Sequence, residues 1–307
     1  LFLSEKINQI SLELYCSATI KAELEKIDFI LFYGASCDIP LKLFDDFNKY
    51  RIIAILHRRN IATPYVFYCS DFIDHKSDVL TKQILARENG IKSKFIAKTL
   101  IRERLKSMDW LIDVPETHYT RLRASKSLKE IRGIESQHSR RYWEAYSSFV
   151  NYTEWKRRSD TPIAHALDAC SSFMSGIMLR WILFHKLSPA HGYLHEPTKY
   201  TSLVFDLLEP YRYIFEQSVS DAYMKSGDDA LIENSISILK DKLDEWVYVP
   251  SHKGYVRRKN LLHGAVLALR SYLIGDSKLI VIPNEGKKIG GRPVDAGYFI
   301  PGFKKYI

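Results

Sequence analysis

The apolar residues of this 307-residue chain change their period near residue 77, and that change constrains the fold more than any single motif does. Ahead of it they fall in short runs. Ile10, Leu12, Leu14 and Cys16 alternate with Ser11, Glu13 and Tyr15, the two-residue period of a half-buried strand. IDFILFYG (27–34) and IIAIL (52–56) are continuous apolar runs, and YVFY (65–68) is aromatic and β-branched, as a pleated surface favours. PLKLFDDFNKY (40–50) predicts one short helix with Pro40 tolerated in its first turn.

Beyond Asp78 the spacing is helical. Ile96, Leu100, Leu105, Met108 and Ile112 recur at three- to five-residue steps, and Pro115 then breaks the pattern. The clearest helix is 162–185, where Ile163, Ala166, Leu167, Cys170, Phe173, Met174, Ile177, Met178, Trp181 and Ile182 form one stripe. Stretches 203–226, 229–246 and 260–273 also read as helical, and residues 285–307 as a glycine-containing basic tail. Domains of about 150 residues are usual, so two are expected. The fold class is α+β: a small β-rich domain over residues 1–76, a linker near 71–78, then a larger all-α domain over residues 77–307.

The two parts differ in charge. Residues 1–76 hold nine Lys and Arg against ten Asp and Glu, whereas the remainder holds 36 against 26. A neutral first part and a basic second part suggest that the second meets a polyanion, although a solvated basic surface explains the same count. No apolar run reaches the roughly 20 residues of a membrane helix. The best candidate, FMSGIMLRWILF, is short and contains Arg180. Cys16, Cys37, Cys69 and Cys170 form no CxxC pair, which argues against a zinc ribbon or a disulfide framework and fits a cytoplasmic protein.

Three places could carry chemistry. Asp206 and Glu209 stand three apart in LVFDLLEPYR, a spacing that puts both carboxylates on one face of a helix. Acids beside Leu203, Val204, Leu207 and Leu208 are costly unless paired or bound to a cation, and pairing with Arg212 or simple exposure to water is the plainer explanation. His195 lies in HGYLHEP, where Gly192 allows a tight turn and Pro197 ends any helix nearby; it is a ligand, a general base, or an idle loop residue. Glu135 lies in EIRGIESQHSRRYW, two residues after Gly133 and within two turns of Arg140, Arg141 and Tyr142. A carboxylate beside a basic, aromatic stretch suits a metal-dependent phosphodiester site, though a helix-surface Glu in salt bridges fits as well. Glu135, His195 and Glu209 together make an oxygen and nitrogen donor set that suits Mg²⁺ or Mn²⁺ better than zinc. The residues alone lead to a metal-dependent nuclease or phosphotransferase, and no further.

The order of motifs goes beyond generic chemistry. GIESQHSRRYW, a long helix entered by Pro162, LSPAHGYLHE, DLLEPYR, RRKNLLHGAVLALRSYLIGD and the closing GGRPVDAGYFIPGFKKY resemble the CRISPR-associated integrase family Cas1 over essentially the whole chain. The spacings, 60 residues from Glu135 to His195 and 14 from His195 to Glu209, fall within that family's habit. The resemblance implies Glu135, His195 and Glu209 as metal ligands, Asp206 as a supporting acid, and Mg²⁺ or Mn²⁺ as the cofactor. Ala164 and Asp168 stand where many relatives carry Asn.

The implied activity is insertion of short duplex DNA into the leader end of a CRISPR array by attack of a 3′-hydroxyl on a phosphodiester, with nuclease activity when water attacks instead. Implied partners are double-stranded DNA, a second copy of the chain through the β-rich domain, and a small Cas2 protein, with no membrane. Arg140, Arg141, Arg212, Arg257, Arg258 and Lys259 are the candidate DNA contacts. Two rivals remain at this point: a related integrase that mobilises a transposon, and a catalytically inactive DNA-binding scaffold.

Overall fold

The computed structural model describes residues 2–6, 9–13, 19–34, 40–57, 64–72, 78–152, 160–195 and 201–307. The chain divides into two compact units, residues 1–76 and residues 77–307.

The first unit opens with an antiparallel sheet of β1 (Phe2–Lys6), β2 (Gln9–Glu13) and β3 (Thr19–Glu23). Leu12 stands opposite Leu3 on one side and Ile20 on the other, which gives the register of all three strands. Positions 14–16 of the expected strand lie outside the described residues. The sequence reading did not include β1 and β3; FLSEK and TIKAE are too short and too polar to show a period.

A second sheet pairs β4 (Phe29–Tyr33) in parallel with β5 (Ile53–His57), while β6 (Tyr65–Phe67) runs antiparallel to β5. Parallel strands need a crossover, and α1 (Leu41–Tyr50) supplies it. Leu43 and Phe47 lie one turn apart on α1 and are buried with Leu24, Phe32, Ile52 and Ala54. Arg51 ends the helix in the left-handed conformation at φ 55°.

The second unit is helical: α2 (Asp78–Glu88), α3 (Gly90–Met108), α4 (Glu116–Ala124), α5 (Leu128–Phe149), α6 (Pro162–Phe184), α7 (Ser202–Leu208), α8 (Arg212–Ser226), α9 (Leu231–Asp244) and α10 (Lys259–Ile274). Local chemistry fixes the helix starts. The Asn89 side chain accepts from the Ile91 and Lys92 amides at 3.0 Å each. Ser127 caps α5 by accepting from the Glu130 amide, and the Glu130 side chain reaches back to the Ser127 hydroxyl and the Lys126 amide, a variant of the capping box. Thr161 caps α6 with Pro162 in its first turn.

The expected stripe makes α6 the core helix. Ile163, Ala166, Cys170, Met174, Met178 and Ile182 are fully buried, and α7, α8, α9 and α10 all pack on it. By length and composition α6 is also the one described helix that could cross a membrane, but more than half of its apolar stretch is already covered by its neighbours. Cys69 and Cys170 are buried and form no disulfide, and Cys16 and Cys37 lie outside the described residues.

Two features depart from a continuous all-helical reading. The 203–226 stretch breaks at Pro210 into α7, a 3₁₀ turn at Glu209–Tyr211, and α8. Proline offers no N–H to continue the ladder. Between α9 and α10 lies a hairpin of β7 (Trp246–Val249) and β8 (Gly254–Arg257), two four-residue strands too short to announce themselves by period.

Candidate active site

The turn that carries His195 has little regular structure of its own, and side chains from three helices hold it. Asp206, on α7 and fully buried, accepts hydrogen bonds from the backbone amides of Tyr193 (2.5 Å), Leu194 (2.9 Å) and His195 (2.9 Å). It also holds His195 Nδ1 at 2.7 Å. One carboxylate thus fixes both the backbone of the turn and the orientation of the ring. Gly192 is required for this approach: a Cβ there would lie 2.8 Å from Asp206 Oδ2 and 3.0 Å from Ser202.

Gln83 of α2 closes the other end of the turn. Its amide donates to the Ser188 and His191 carbonyls at 2.9 Å each and accepts from the Ser188 amide at 2.8 Å. Arg132 of α5 donates through Nε to the Leu194 carbonyl at 2.7 Å, and a second nitrogen of the same guanidinium reaches that carbonyl too. Arg132 lies one turn before Glu135, so this bond ties the histidine turn to the segment of α5 that carries the acid.

Glu209 begins the 3₁₀ turn and is nearly buried, at 6% exposure. Arg212 Nη1 lies 3.2 Å from Glu209 Oε1, and Arg104 Nε lies 3.6 Å from Oε2. Behind them stands Glu216, fully buried on α8. It takes Arg104 at 3.0 and 3.3 Å, the Tyr142 hydroxyl at 2.6 Å and Arg212 at 3.4 Å. Trp110 in turn donates to the Tyr142 oxygen at 2.9 Å.

The electrostatics follow from these contacts. Burial alone would raise the Glu209 pKa, but Arg212 and Arg104, with His195, outweigh it and hold the carboxyl below its ordinary range. Burial would lower the His195 pKa, but the hydrogen bond and charge of Asp206, with Glu209 and Glu135, leave it raised. Glu135 is half-buried on α5 and accepts from the Ser139 hydroxyl at 2.5 Å. Its charge acts on both His195 and Arg212.

Asp206 thus contacts His195 directly, and Glu135 and Glu209, from two further segments of the second unit, act on it through their charges. Among the described residues no three His, Cys, Asp or Glu side chains are drawn together closely enough to hold an ion as they stand. The kind of donor does fit a divalent cation: Asp206 occupies His195 Nδ1 and leaves Nε2 to a ligand, and two carboxylates lie within its field. Arg104 and Arg212 neutralise Glu209 where such a cation would.

The basic candidates divide. Arg140 and Arg141 are exposed on α5. Arg212 is engaged by Glu209 and Glu216. Arg258 pairs with Glu245 at 2.6 Å and Glu285 at 2.9 Å, and Lys259 pairs with Asp244 at 2.6 Å. Arg257 donates to a backbone carbonyl and pairs with no acid among the described residues. Arg104, Glu216, Gln83 and Arg132 were absent from the sequence reading. Arg104 had a signal: it falls on the stripe of Ala97, Ile101, Leu105 and Met108, where a charge must be buried and partnered.

The family model described as CRISPR associated protein Cas1 matches residues 2–226. A curated relative from Fusobacterium nucleatum subsp. nucleatum, the CRISPR-associated endonuclease Cas1, is 23% identical over 86% of this chain and 94% of its own length. Among solved structures, the Cas1 protein of Thermotoga maritima superposes with a TM-score of 0.72 at 19% identity, covering 91% of this chain and 96% of its own. A casposase bound to integration product superposes with a TM-score of 0.62, also at 19% identity, covering 94% and 96%. At such identities the two structures speak for the fold.

Proposed function

This chain belongs to the CRISPR-associated protein Cas1 family, and on that premise we propose that it is an integrase and endonuclease of CRISPR adaptation, joining short duplex DNA to a CRISPR array. The observation that carries the reading is the Asp206 clamp: a buried carboxylate that fixes the backbone and Nδ1 of His195, leaving Nε2 for a ligand in a ring on which the charges of Glu209 and Glu135 act. An idle loop histidine needs no such support.

In the reaction a 3′-hydroxyl of the incoming strand attacks phosphorus in the repeat. A new P–O bond forms, the old one breaks, and the departing strand keeps a 3′-oxygen that takes up a proton. Because one phosphodiester replaces another, no ATP is consumed. Glu135, Glu209 and His195 through Nε2 would hold Mg²⁺ or Mn²⁺, whose Lewis acidity stabilises charge on the transferring phosphate. Asp206 keeps the His195 ring in one tautomer and one orientation. Arg104 and Arg212 keep Glu209 ionised and ready to exchange a guanidinium for a cation. Exposed Arg140 and Arg141, on the same helix as Glu135, would meet strand phosphates. A second copy of the chain, bound through the β-rich unit, and a Cas2 protein complete the assembly in this reading.

The transposon reading is not favoured: the curated relative that spans nearly the whole chain is named a CRISPR-associated endonuclease. Nor is the scaffold reading, because all four acid and histidine positions are filled and braced.

The test is integration of a short duplex into a supercoiled plasmid carrying the array, with Mg²⁺ or Mn²⁺, with and without Cas2. Joining by the parent chain, abolished in Glu135→Ala and His195→Ala, is expected. Joining that survives both substitutions would sink the site assignment.

A further inference from the structure

The basic tail singled out in the sequence has no part in the catalytic cluster, yet it is built firmly into the second unit. Residues 300–304 return to the β7–β8 hairpin, and Tyr255 exchanges two backbone hydrogen bonds with Lys304, at 2.7 and 2.8 Å. Gly254 makes the contact possible, since a Cβ there would lie 2.3 Å from the Phe303 ring and 2.5 Å from the Lys304 carbonyl. Farther back, Lys253 Nζ donates to the Ile289 and Gly290 carbonyls at 2.8 and 2.6 Å, and the Val294 amide donates to Ser251 at 2.8 Å. Three stretches of chain therefore converge on one small sheet.

Two of its partly exposed rings, Trp246 and Tyr255, are covered by cations. Trp246 faces Arg257 across the hairpin, and Tyr248 faces Tyr255 two residues on, so all four side chains share one face. The Arg257 guanidinium lies 4.7 Å from the Trp246 centroid and the Lys304 ammonium 4.6 Å from it. The Lys288 ammonium lies 5.2 Å from the Tyr255 centroid. The nearby acids are already taken: Asp244 by Lys259, and Glu245 by Arg258. Among the described residues no acid pairs with Arg257, Lys288 or Lys304.

We propose that the Trp246–Tyr255 face, with Arg257, Lys288 and Lys304 held on it, is a docking platform for the phosphodiester backbone of DNA, separate from the catalytic cluster. The argument is one of organisation and charge. A lysine free in water loses side-chain entropy when it meets a phosphate, whereas these cations already rest on ring faces. With Trp246 and Tyr255 covered and Tyr248 packed against Tyr255, the platform reads phosphates and leaves the bases unstacked, so it is indifferent to sequence. It is tied to the catalytic region through Arg258, which pairs with Glu285; Glu285 accepts from the Tyr213 hydroxyl at 2.7 Å, and Tyr213 neighbours Arg212. The proposal rests on the Cas1 reading for its ligand, and the experiment separates the two.

DNA binding by the full chain is measured by fluorescence anisotropy across a salt series. A chain carrying Arg257→Gln, Lys288→Gln and Lys304→Gln is compared with the charge-keeping Arg257→Lys, Lys288→Arg and Lys304→Arg. The platform predicts that the slope of log affinity against log salt falls by about 2.7 in the first variant, about 0.9 per lost phosphate contact, and stays at the parental value in the second. Equal slopes in all three chains overturn the platform, as does an equal loss in both variants, which would mark a folding defect. If the parent and the glutamine variant join DNA with equal slopes, the platform fails and the integrase reading stands. A slope that falls as expected in a chain that joins nothing supports the platform and removes the integrase reading.

Discussion

Two buried polar regions meet on α5 and differ in one respect, whether their atoms have partners. In the first, Glu216 is fully buried but receives Arg104, Arg212 and Tyr142, and its carboxyl is held low despite a burial effect in the other direction. In the second, His138 of α5 meets His118 of α4 edge to face, with ring centroids 5.3 Å apart. All four ring nitrogens are buried with no hydrogen-bond partner among the described residues. There, burial dominates and the charges of His118, Arg141 and Arg104 add to it, so the His138 pKa falls to about 4. Burial is common to both regions; the partner decides whether the charged form survives it.

The comparison can be broken by substitution, and the sign of the effect should differ between the regions. The largest loss is expected at Asp206. Asp206→Ala strands three backbone amides and frees the His195 ring, at about 6 kcal/mol if each of four bonds to a charged group contributes about 1.5. Urea denaturation should show that loss and the joining assay a fall of at least about 100-fold; an unchanged midpoint would remove the clamp from the account. Next, Glu216→Ala leaves two guanidinia buried around Glu209 alone, with an expected cost of about 4 kcal/mol.

His138→Phe should act in the opposite direction. The unfolded histidine binds a proton below about pH 6.5 while the folded one does so only near 4, so stability falls as pH drops through that window. The substitution should recover about 2 kcal/mol at pH 5 and little at pH 8. A parental stability curve that is flat from pH 7 to 5 would refute this. The smallest change is expected from Tyr213→Phe, which removes one hydrogen bond to Glu285 and about 1.5 kcal/mol.

Much of this was legible in the chain. The change of period separated a strand-bearing part from a helical part, and the stripe on 162–185 identified the central helix, because each signal repeats over enough residues to stand out. The strands β1, β3, β7 and β8 did not stand out: β1 and β3 carry charged residues among their five, and β7 and β8 are only four residues long. The acids and histidine of the proposed site stand out as a set only through the order of motifs, since each alone has a plainer explanation. Their supports were not readable. Arg104 and Glu216 are 112 residues apart, and Gln83 lies 105 residues from Ser188. A buried charge in a helical stripe says that a partner exists, but not which one.

The turn at Ser188–His195 has a consequence for how the protein comes into being. Its fasteners are spread along the chain: Gln83 and Arg132 far upstream, Ser202 and Asp206 downstream. During synthesis the HGYLH segment leaves the ribosome with two of them waiting outside and two still within the exit tunnel. Closing such distant contacts is slow compared with winding a helix. After dilution from denaturant, helical signal should therefore return before the ability to join DNA, and the interval between them times the capture of one loop by four side chains.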